Sequence, residues 1–363
     1  MNDRPTGIGV IGAGFISAIY LKNLTSRWDH VRVVGVADLI ADRAQARAGQ
    51  FGIHAFTVDE LLAHPEIEIV LNLTIPAAHA AVCFGVIEAG KSVYTEKPLT
   101  LDRGEGERLL HAAHQRGVLV GCAPDTFLGA GLQTVRRLID EGAIGEPVAF
   151  SARMTTHGHE SWHPEPAFYY QPGAGPMLDM GPYYVTAIAT LLGPIRRVSA
   201  MTRITFPRRT ITSQPRYGQV IEVNTPSHFE TNLELESGVI GTLTTTFDLW
   251  DPEHCAFTIY GSEGSIRLPD PNTFGGPIQL LRGGEKTWQD VPLDPGYDTD
   301  TRGIGVADLA HALRTGQPAR ASGDLGFHAL DVMLAALESA EQGRHLEIGS
   351  TVARPRPLET IGV

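Results

Sequence analysis

Between Gly7 and Cys122, short β-branched runs alternate with stretches of helical periodicity, and this alternation leaves few folds open. Strands are expected at Ile8–Ile11, Val31–Ala37, Ile53–Phe56, Ile67–Thr74, Ser92–Thr95 and Val118–Cys122. Apolar strands linked by amphipathic helices build crossover units, which stack into a parallel sheet with helices on both faces. The punctuation agrees. Thr57 and Glu60 form a capping box ahead of Leu61 and Leu62, Gly90 ends a helix that starts near Ala77, and Gly117 ends one that starts near Asp102.

After Asp125 the pattern changes. A helix over about Leu132–Glu141 stops at Gly142, and long alternating strands follow. Phe229, Thr231, Leu233 and Leu235 share one face. Beyond the Ser237-Gly238 turn, Val239, Leu243 and Phe247 keep the period of two, which describes an antiparallel hairpin. Further strands are expected near Ala256–Tyr260, Ser265–Leu268 and Ile278–Leu281, with late helices over about Ile304–Arg314 and Leu325–Gln342. A chain of 363 residues exceeds what one core serves. The division therefore falls at an α/β domain over 1–124 and an α+β domain over 125–363.

Composition narrows the function. A net charge of −12, without a long Lys/Arg run, argues against nucleic acid as a partner. Cys83, Cys122 and Cys255 are few, far apart and lack CxxC spacing, which fits a reducing cytoplasm and suggests neither a disulfide framework nor a zinc cage. The polar lead Met1 to Thr6 has no signal-peptide pattern, and no apolar run reaches the roughly 18 residues of a spanning helix, so a soluble protein without a membrane partner is expected.

The first strand runs into Gly7-Ile8-Gly9-Val10-Ile11-Gly12-Ala13-Gly14-Phe15-Ile16-Ser17. Gly12 permits a tight turn, Gly14 lets a pyrophosphate approach the backbone, and Ser17 is small enough for the helix to pack on the strand. Phe15 and Ile16 lie at the helix N-terminus, where free N–H groups and the dipole favour phosphate. Asp38 ends the second strand about twenty residues later, where a carboxylate accepts ribose hydroxyls and repels a 2′-phosphate. NAD is therefore the expected cofactor, with Arg43 nearby as the one feature that suits NADP.

Two more segments sit at strand ends, Thr74-Ile75-Pro76-Ala77-Ala78-His79 and Glu96-Lys97-Pro98, and a third, Gly173-Ala174-Gly175-Pro176-Met177-Leu178-Asp179-Met180-Gly181-Pro182-Tyr183, lies in the second domain. With the glycine turn, they resemble the glucose-fructose oxidoreductase and inositol dehydrogenase family (Gfo/Idh/MocA) across essentially the whole chain. The resemblance implies a Rossmann domain, a C-terminal domain with a large, mostly antiparallel open sheet, a substrate cleft between the two, and dimers or tetramers formed through that sheet. It also implies sugars, cyclitols or their derivatives as substrates, and no metal. Thr74, Pro76 and His79 fall where the family meets its cofactor, although His79 equally suits a local hydrogen bond at a helix start. Glu96 is implied at the nicotinamide ribose, or else as an ion-pair partner.

Lys97 is the proton-transfer group that the resemblance implies. Beside a nicotinamide cation its ammonium is disfavoured, which favours proton exchange. Asp179 and Tyr183, four residues apart, project from one helix face. Asp179 then bonds a substrate hydroxyl and tunes Lys97, or caps the helix. Tyr183 stands where the family usually has His and acts as donor or base, or is a core aromatic. Trp162 and His163, within His157-Gly158-His159-Glu160-Ser161-Trp162-His163, together with Phe168-Tyr169-Tyr170, offer a platform for a sugar ring. The histidines there have no recognised zinc spacing. Asp125, with Thr126 and Phe127, either reaches substrate or fixes the hinge. Arg153 and Arg302 leave acidic substrates open.

Three activities fit these residues. The first is hydride transfer between NAD and a hydroxyl carbon of a sugar, glycoside or cyclitol. The second is NAD-dependent glycoside hydrolysis through transient oxidation at C3, with Tyr183 as base at C2. The third is a non-catalytic NAD-sensing regulator, against which the joint retention of Lys97 and Asp179 argues.

Overall fold

The computed structural model describes residues 4–251, 253 and 255–358, so the first three residues of the polar lead lie outside the described residues. The chain divides into two units. One runs through Gly129 and adds Gly296–Phe327 and the stretch from Pro355; the other holds Ala130–Pro295 and His328–Arg354. A cut at residue 124 thus lies near the first crossing, but the chain returns to the first unit after Pro295. The physical reason is local: the buried Asp125 carboxylate accepts the Gly303 and Gly305 N–H groups and holds that returning segment.

In the first unit, β1 (Thr6–Ile11), β2 (Val31–Ala37), β3 (His54–Phe56), β4 (Ile69–Asn72), β5 (Ser92–Thr95) and β6 (Val120–Cys122) form a parallel sheet in the order β3-β2-β1-β4-β5-β6 among the described residues. The order reverses between β1 and β4, and that reversal opens a crevice at the strand C-termini where such sheets bind ligands. The connecting helices are α1 (Ser17–Leu24), α2 (Ala41–Phe51), α3 (Val58–Ala63), α4 (His79–Glu88) and α5 (Arg103–Arg116). The capping box of Thr57 and Glu60 starts α3, and Asp102 caps α5, which Gly117 ends in the left-handed region. Ile11, Val34, Leu61, Val70, Val86, Val93 and Leu109 fill one core, each worth about 1.5–3 kcal/mol of burial.

Three strands are shorter than expected, β3 by its first residue alone. β4 stops at Asn72 because its side-chain oxygen accepts from both the N–H and the hydroxyl of Thr74, turning the chain there. β6 starts at Val120 because the Val118 N–H bonds Ala113 and closes α5 instead.

The second unit contains α6 (Ala130–Asp140), β7 (Pro147–Thr155), α7 (Gly175–Asp179), α8 (Gly181–Leu192), β8 (Ile195–Arg203), β9 (Arg208–Thr210), β10 (Val220–Glu222), β11 (His228–Leu235), β12 (Ile240–Thr246), β13 (Cys255–Gly261), β14 (Gly264–Leu268), β15 (Ile278–Arg282), β16 (Gln289–Val291) and β17 (Leu346–Glu347). Among the described residues a mixed sheet runs β16-β15-β14-β13-β7-β12-β11-β8-β17, in which only the β7–β12 pair is parallel. The expected hairpin is β11–β12, with Phe229, Thr231, Leu233 and Leu235 on its buried side. The strands β9 and β10 form a separate ribbon. In the late segments, α9 (Ile304–Thr315) belongs to the first unit and α10 (Gly323–Gln342) contributes to both. No described helix is long and apolar enough to cross a membrane.

The expected single helix carrying Asp179 and Tyr183 is two. Asp179 ends α7, Met180 is the joint, and Tyr183 lies in the first turn of α8. Pro182 has no N–H to continue a helical ladder, which makes it a starting residue rather than an interior one.

Candidate active site

At the end of β1, the Gly12 N–H bonds Ala37, and Gly12 sits at φ +106, with the place of a Cβ only 2.6 Å from the Leu73 carbonyl oxygen. No side chain fits there. Gly14 differs: a Cβ on it would meet nothing within 4 Å. The fold itself does not require a glycine at 14, and the open space above it leaves room for a pyrophosphate to lie on the turn. The buried Ser17 donates its hydroxyl to the Gly14 carbonyl at 2.6 Å and pins the turn to α1.

Asp38 braces the same turn. Its Oδ2 accepts the Ala13 N–H at 2.8 Å and its Oδ1 accepts the Ile40 N–H at 2.9 Å, which leaves lone pairs on both oxygens for ribose hydroxyls. Two cavities flank it. One, of about 430 Å³, is lined by Leu39, Phe56 and Thr57; the other, of about 470 Å³, by Gly14, Phe15, Arg43 and Arg47. Arg47 donates to the Gly14 carbonyl at 3.1 Å, placing a guanidinium where phosphate charge would lie. Phe15 and Leu39 are almost fully exposed, and Ile75 is exposed as well. Large apolar side chains left bare at the ends of β1, β2 and β4 suit the flat rings of a dinucleotide. The residues present therefore fit NAD.

His79 does not face that crevice. It is 0% exposed, with Nδ1 2.7 Å from the Pro98 carbonyl and Nε2 3.1 Å from the Thr74 carbonyl. Burial pulls its pKa below the usual imidazole value. These contacts are of the local kind expected as the alternative to a cofactor contact, and they brace the loop after β4 against the loop after β5. Thr74 and Pro76 remain half-buried at the strand end, Thr74 bonded to Asn72.

Glu96 and Lys97 follow β5. One Glu96 oxygen accepts from the buried Tyr20 hydroxyl at 2.8 Å, and the other from the Lys97 N–H at 3.0 Å. Burial, then the Glu96 charge, pushes the Tyr20 phenol well above its ordinary pKa, so it stays protonated and donates. The Glu96 carboxylate thus locks the backbone that presents Lys97, whose side chain is half-buried. Tyr20 gave no signal in sequence, since only the fold brings α1 to β5.

Asp125, expected either to reach substrate or to fix the hinge, is engaged with the returning segment. It is 1% exposed, and its Oδ2 accepts the Gly303 and Gly305 N–H groups at 2.9 and 3.0 Å, ahead of and within α9. Burial raises its pKa to about 6 against those two bonds.

The second unit assembles a different cluster. Asp179, little exposed, has the His159 Nε2 at 3.6 Å. The His159 ring stacks on Tyr169 at 3.7 Å and meets the edge of Phe247 at 4.6 Å. Its backbone N–H bonds the Tyr170 hydroxyl, which donates to Glu160 at 2.5 Å, and Glu160 pairs with Arg209, itself bonded to Asp248 at 2.5 Å. A cation between two carboxylates is held with its charge compensated, so the His159 loop is stiffly backed. His159, expected only as one histidine of a substrate loop, is the one that the fold brings to Asp179. Trp162 is 62% exposed, with its ring 5.3 Å from those of His159 and His163. Tyr183 is half-buried in α8. Among the described residues no group of three or more His, Cys, Asp or Glu could hold a metal ion.

Comparison with known proteins agrees with this geometry. Residues 6–123 match the oxidoreductase family model with an NAD-binding Rossmann fold, and residues 132–267 match the GFO/IDH/MocA C-terminal domain. The chain is 26% identical to the inositol 2-dehydrogenase of Gluconacetobacter diazotrophicus, over 96% of this chain and 98% of that one. It is 27% identical to the 1,5-anhydro-D-fructose reductase of Ensifer adhaerens, over 94% and 98%. A levoglucosan dehydrogenase solved with NADH and L-sorbose shares the fold, with a TM-score of 0.83 at 19% identity, over 96% of this chain and 100% of that one. The chain belongs to the Gfo/Idh/MocA family of oxidoreductases.

Proposed function

We propose that the protein is an NAD-dependent oxidoreductase that moves hydride between the nicotinamide and a hydroxyl-bearing carbon of a sugar or cyclitol. The observation that carries this reading is the glycine turn, whose second glycine has open space above it while Asp38 braces the turn from beneath. NAD supplies the hydride acceptor or donor. Lys97 carries the carbinol proton, and the Glu96 lock on its backbone fixes where its amino group emerges. In the second unit, Asp179, with His159 beside it, accepts substrate hydroxyls, and Trp162, His163 and Tyr183 complete the recognition surface. The activities named for the inositol and anhydrofructose relatives support this substrate class.

Met201, Ile240, Val148 and Tyr260 leave apolar surface exposed on the second unit's sheet strands, which supports assembly into dimers or tetramers through that sheet. The acidic charge and sparse cysteines support a cytoplasmic setting.

The test is NADH production across a panel that includes myo-inositol, scyllo-inositol, D-glucose and 1,5-anhydro-D-glucitol. Lys97→Met is expected to abolish turnover while calorimetry still detects NAD. Turnover that survives in Lys97→Met removes lysine from the mechanism. Tyr183 at the family's histidine position favours a second reading, redox-neutral glycoside cleavage. Its mark is solvent deuterium at C2 of the released sugar without net NADH, and glycoside cleavage without that label excludes it.

A further inference from the structure

The segment that carries His159 has two faces. On one, His159 approaches Asp179. On the other, His157 and Glu160 line a separate cavity of about 660 Å³ in the second unit, a size typical of small-molecule sites. Of its lining, only Trp162 belongs to the recognition surface proposed above.

Its walls are aromatic. Trp250 is 83% exposed and Phe206 40% exposed. The Trp250 ring lies 3.6 Å from His157 and within 16° of parallel to it, so one indole face is backed and the other is open. Phe206 meets the edge of the same imidazole at 5.8 Å. Beneath them the Arg209 guanidinium, 3% exposed, is bonded to Glu160 and Asp248, and Arg208 and Asp251 add one charge of each sign to the lining. Ser161 and Thr210, both exposed residues that carry hydroxyl groups, also line it. Backed aromatic faces beside hydroxyl donors and acceptors match a ring with apolar C–H faces and polar edges, which is a sugar ring. A concave site of this size does not offer the broad face of roughly 800 Å² per partner that a stable protein contact uses.

Its position names the role. Trp162 lines the cavity, and its ring is also 5.3 Å from His159, the neighbour of Asp179. One aromatic ring therefore separates the cavity from the cluster proposed to hold the reacting sugar. We infer that the cavity is a subsite for the second sugar ring of a glycoside, and that the natural substrate has two linked rings rather than one. This rests on the proposed function, because it takes the Asp179 cluster as the place of the reacting ring.

The experiment compares kcat/KM for NADH production from disaccharides (maltose, cellobiose, trehalose) with that from D-glucose and myo-inositol, in the wild type, Trp250→Ala and Phe206→Ala. Both replaced side chains are exposed, and urea unfolding checks that each variant keeps the wild-type fold. The wild type is expected to prefer a disaccharide by about tenfold or more, and each variant to lose about tenfold of that preference, with single-ring values within about twofold of wild type. A wild type that prefers single rings overturns the inference and leaves the proposed function intact. So does a preference unchanged in Trp250→Ala, including the case where that variant instead alters the oligomer mass. A gain seen with p-nitrophenyl glycosides but not disaccharides also overturns it, assigning the cavity to an apolar group. If no sugar yields NADH, the proposed function fails, and tryptophan fluorescence decides the cavity: quenching by a disaccharide that is lost in Trp250→Ala supports a ring site, and no quenching overturns it.

Discussion

Alanine at Gly12 and at Gly14 adds the same methyl group two residues apart, yet the structure demands opposite outcomes. At Gly12 the backbone is at φ +106 and the new Cβ would lie 2.6 Å from the Leu73 oxygen. A left-handed alanine costs about 1–2 kcal/mol. Crowding a backbone carbonyl between β1 and β4 adds about 1–3 kcal/mol. Gly12→Ala should therefore lose about 2–5 kcal/mol of folding stability. At Gly14 the methyl meets nothing within 4 Å, so the unfolded chain alone responds and stability rises by up to about 1 kcal/mol. The cost falls on the ligand. A methyl intruding at van der Waals range on a pyrophosphate costs about 1–3 kcal/mol, which weakens NAD roughly 5- to 150-fold. Urea unfolding without ligand and calorimetry with NAD read the two effects separately. The reasoning is refuted if Gly14→Ala is destabilised like Gly12→Ala, or if it binds NAD as tightly as wild type.

Other expectations are equally direct. Asp125 has a folded pKa of about 6, above its ordinary value of 3.8, so the stability associated with its neutral form is complete below that ordinary value and lost as pH rises to about 6. Asp125→Asn keeps an oxygen for both glycine N–H groups and cannot ionise. It should match wild type at about pH 3.5 and exceed it at pH 7 by up to about 3 kcal/mol in urea unfolding, and a less stable variant at pH 7 contradicts the assignment. Tyr20→Phe removes a buried donor to Glu96 and should cost about 1–3 kcal/mol of stability while lowering kcat, because the Lys97 backbone loses part of its lock. Equal kcat in Tyr20→Phe would show that the lock is dispensable. His159→Ala should lower kcat/KM for the sugar several-fold with NAD affinity unchanged, since losing one polar neighbour of Asp179 is worth about 1 kcal/mol. An unchanged sugar kcat/KM would separate His159 from recognition.

The parallel sheet was legible because each of its elements announces itself locally. Ile8–Ile11 and Val31–Ala37 are buried runs that can only be interior strands, and Thr57 with Glu60 forms in space the box that their spacing implies. The β11–β12 hairpin was legible for the same reason, its period of two surviving intact. β7, β8 and the β9–β10 ribbon were not individually visible. In Ile195–Arg203, arginines, serine and threonine crowd a strand whose sides are not cleanly apolar and polar, so periodicity gives little warning. The glycine turn and Glu96-Lys97-Pro98 carry their chemistry in consecutive residues and could be read directly. Asp125 with Gly303, Tyr20 with Glu96, and His159 with Asp179 are pairings between segments remote in sequence. Such pairings exist only once the topology has closed, which is why the partners of Asp125, Glu96 and Asp179 could not be read from the sequence.

The central claim, hydride passage to NAD with Lys97 as the proton carrier, is tested most directly by isotopic tracing. The protein is incubated with NAD and carbon-deuterated myo-inositol, glucose or maltose, and the NADH formed is analysed by mass spectrometry. The account predicts one deuterium on the dihydronicotinamide ring for every NADH from the wild type, and no labelled NADH from Lys97→Met even though that variant retains NAD. NADH that forms without the label, or labelled NADH that accumulates undiminished in Lys97→Met, would contradict it.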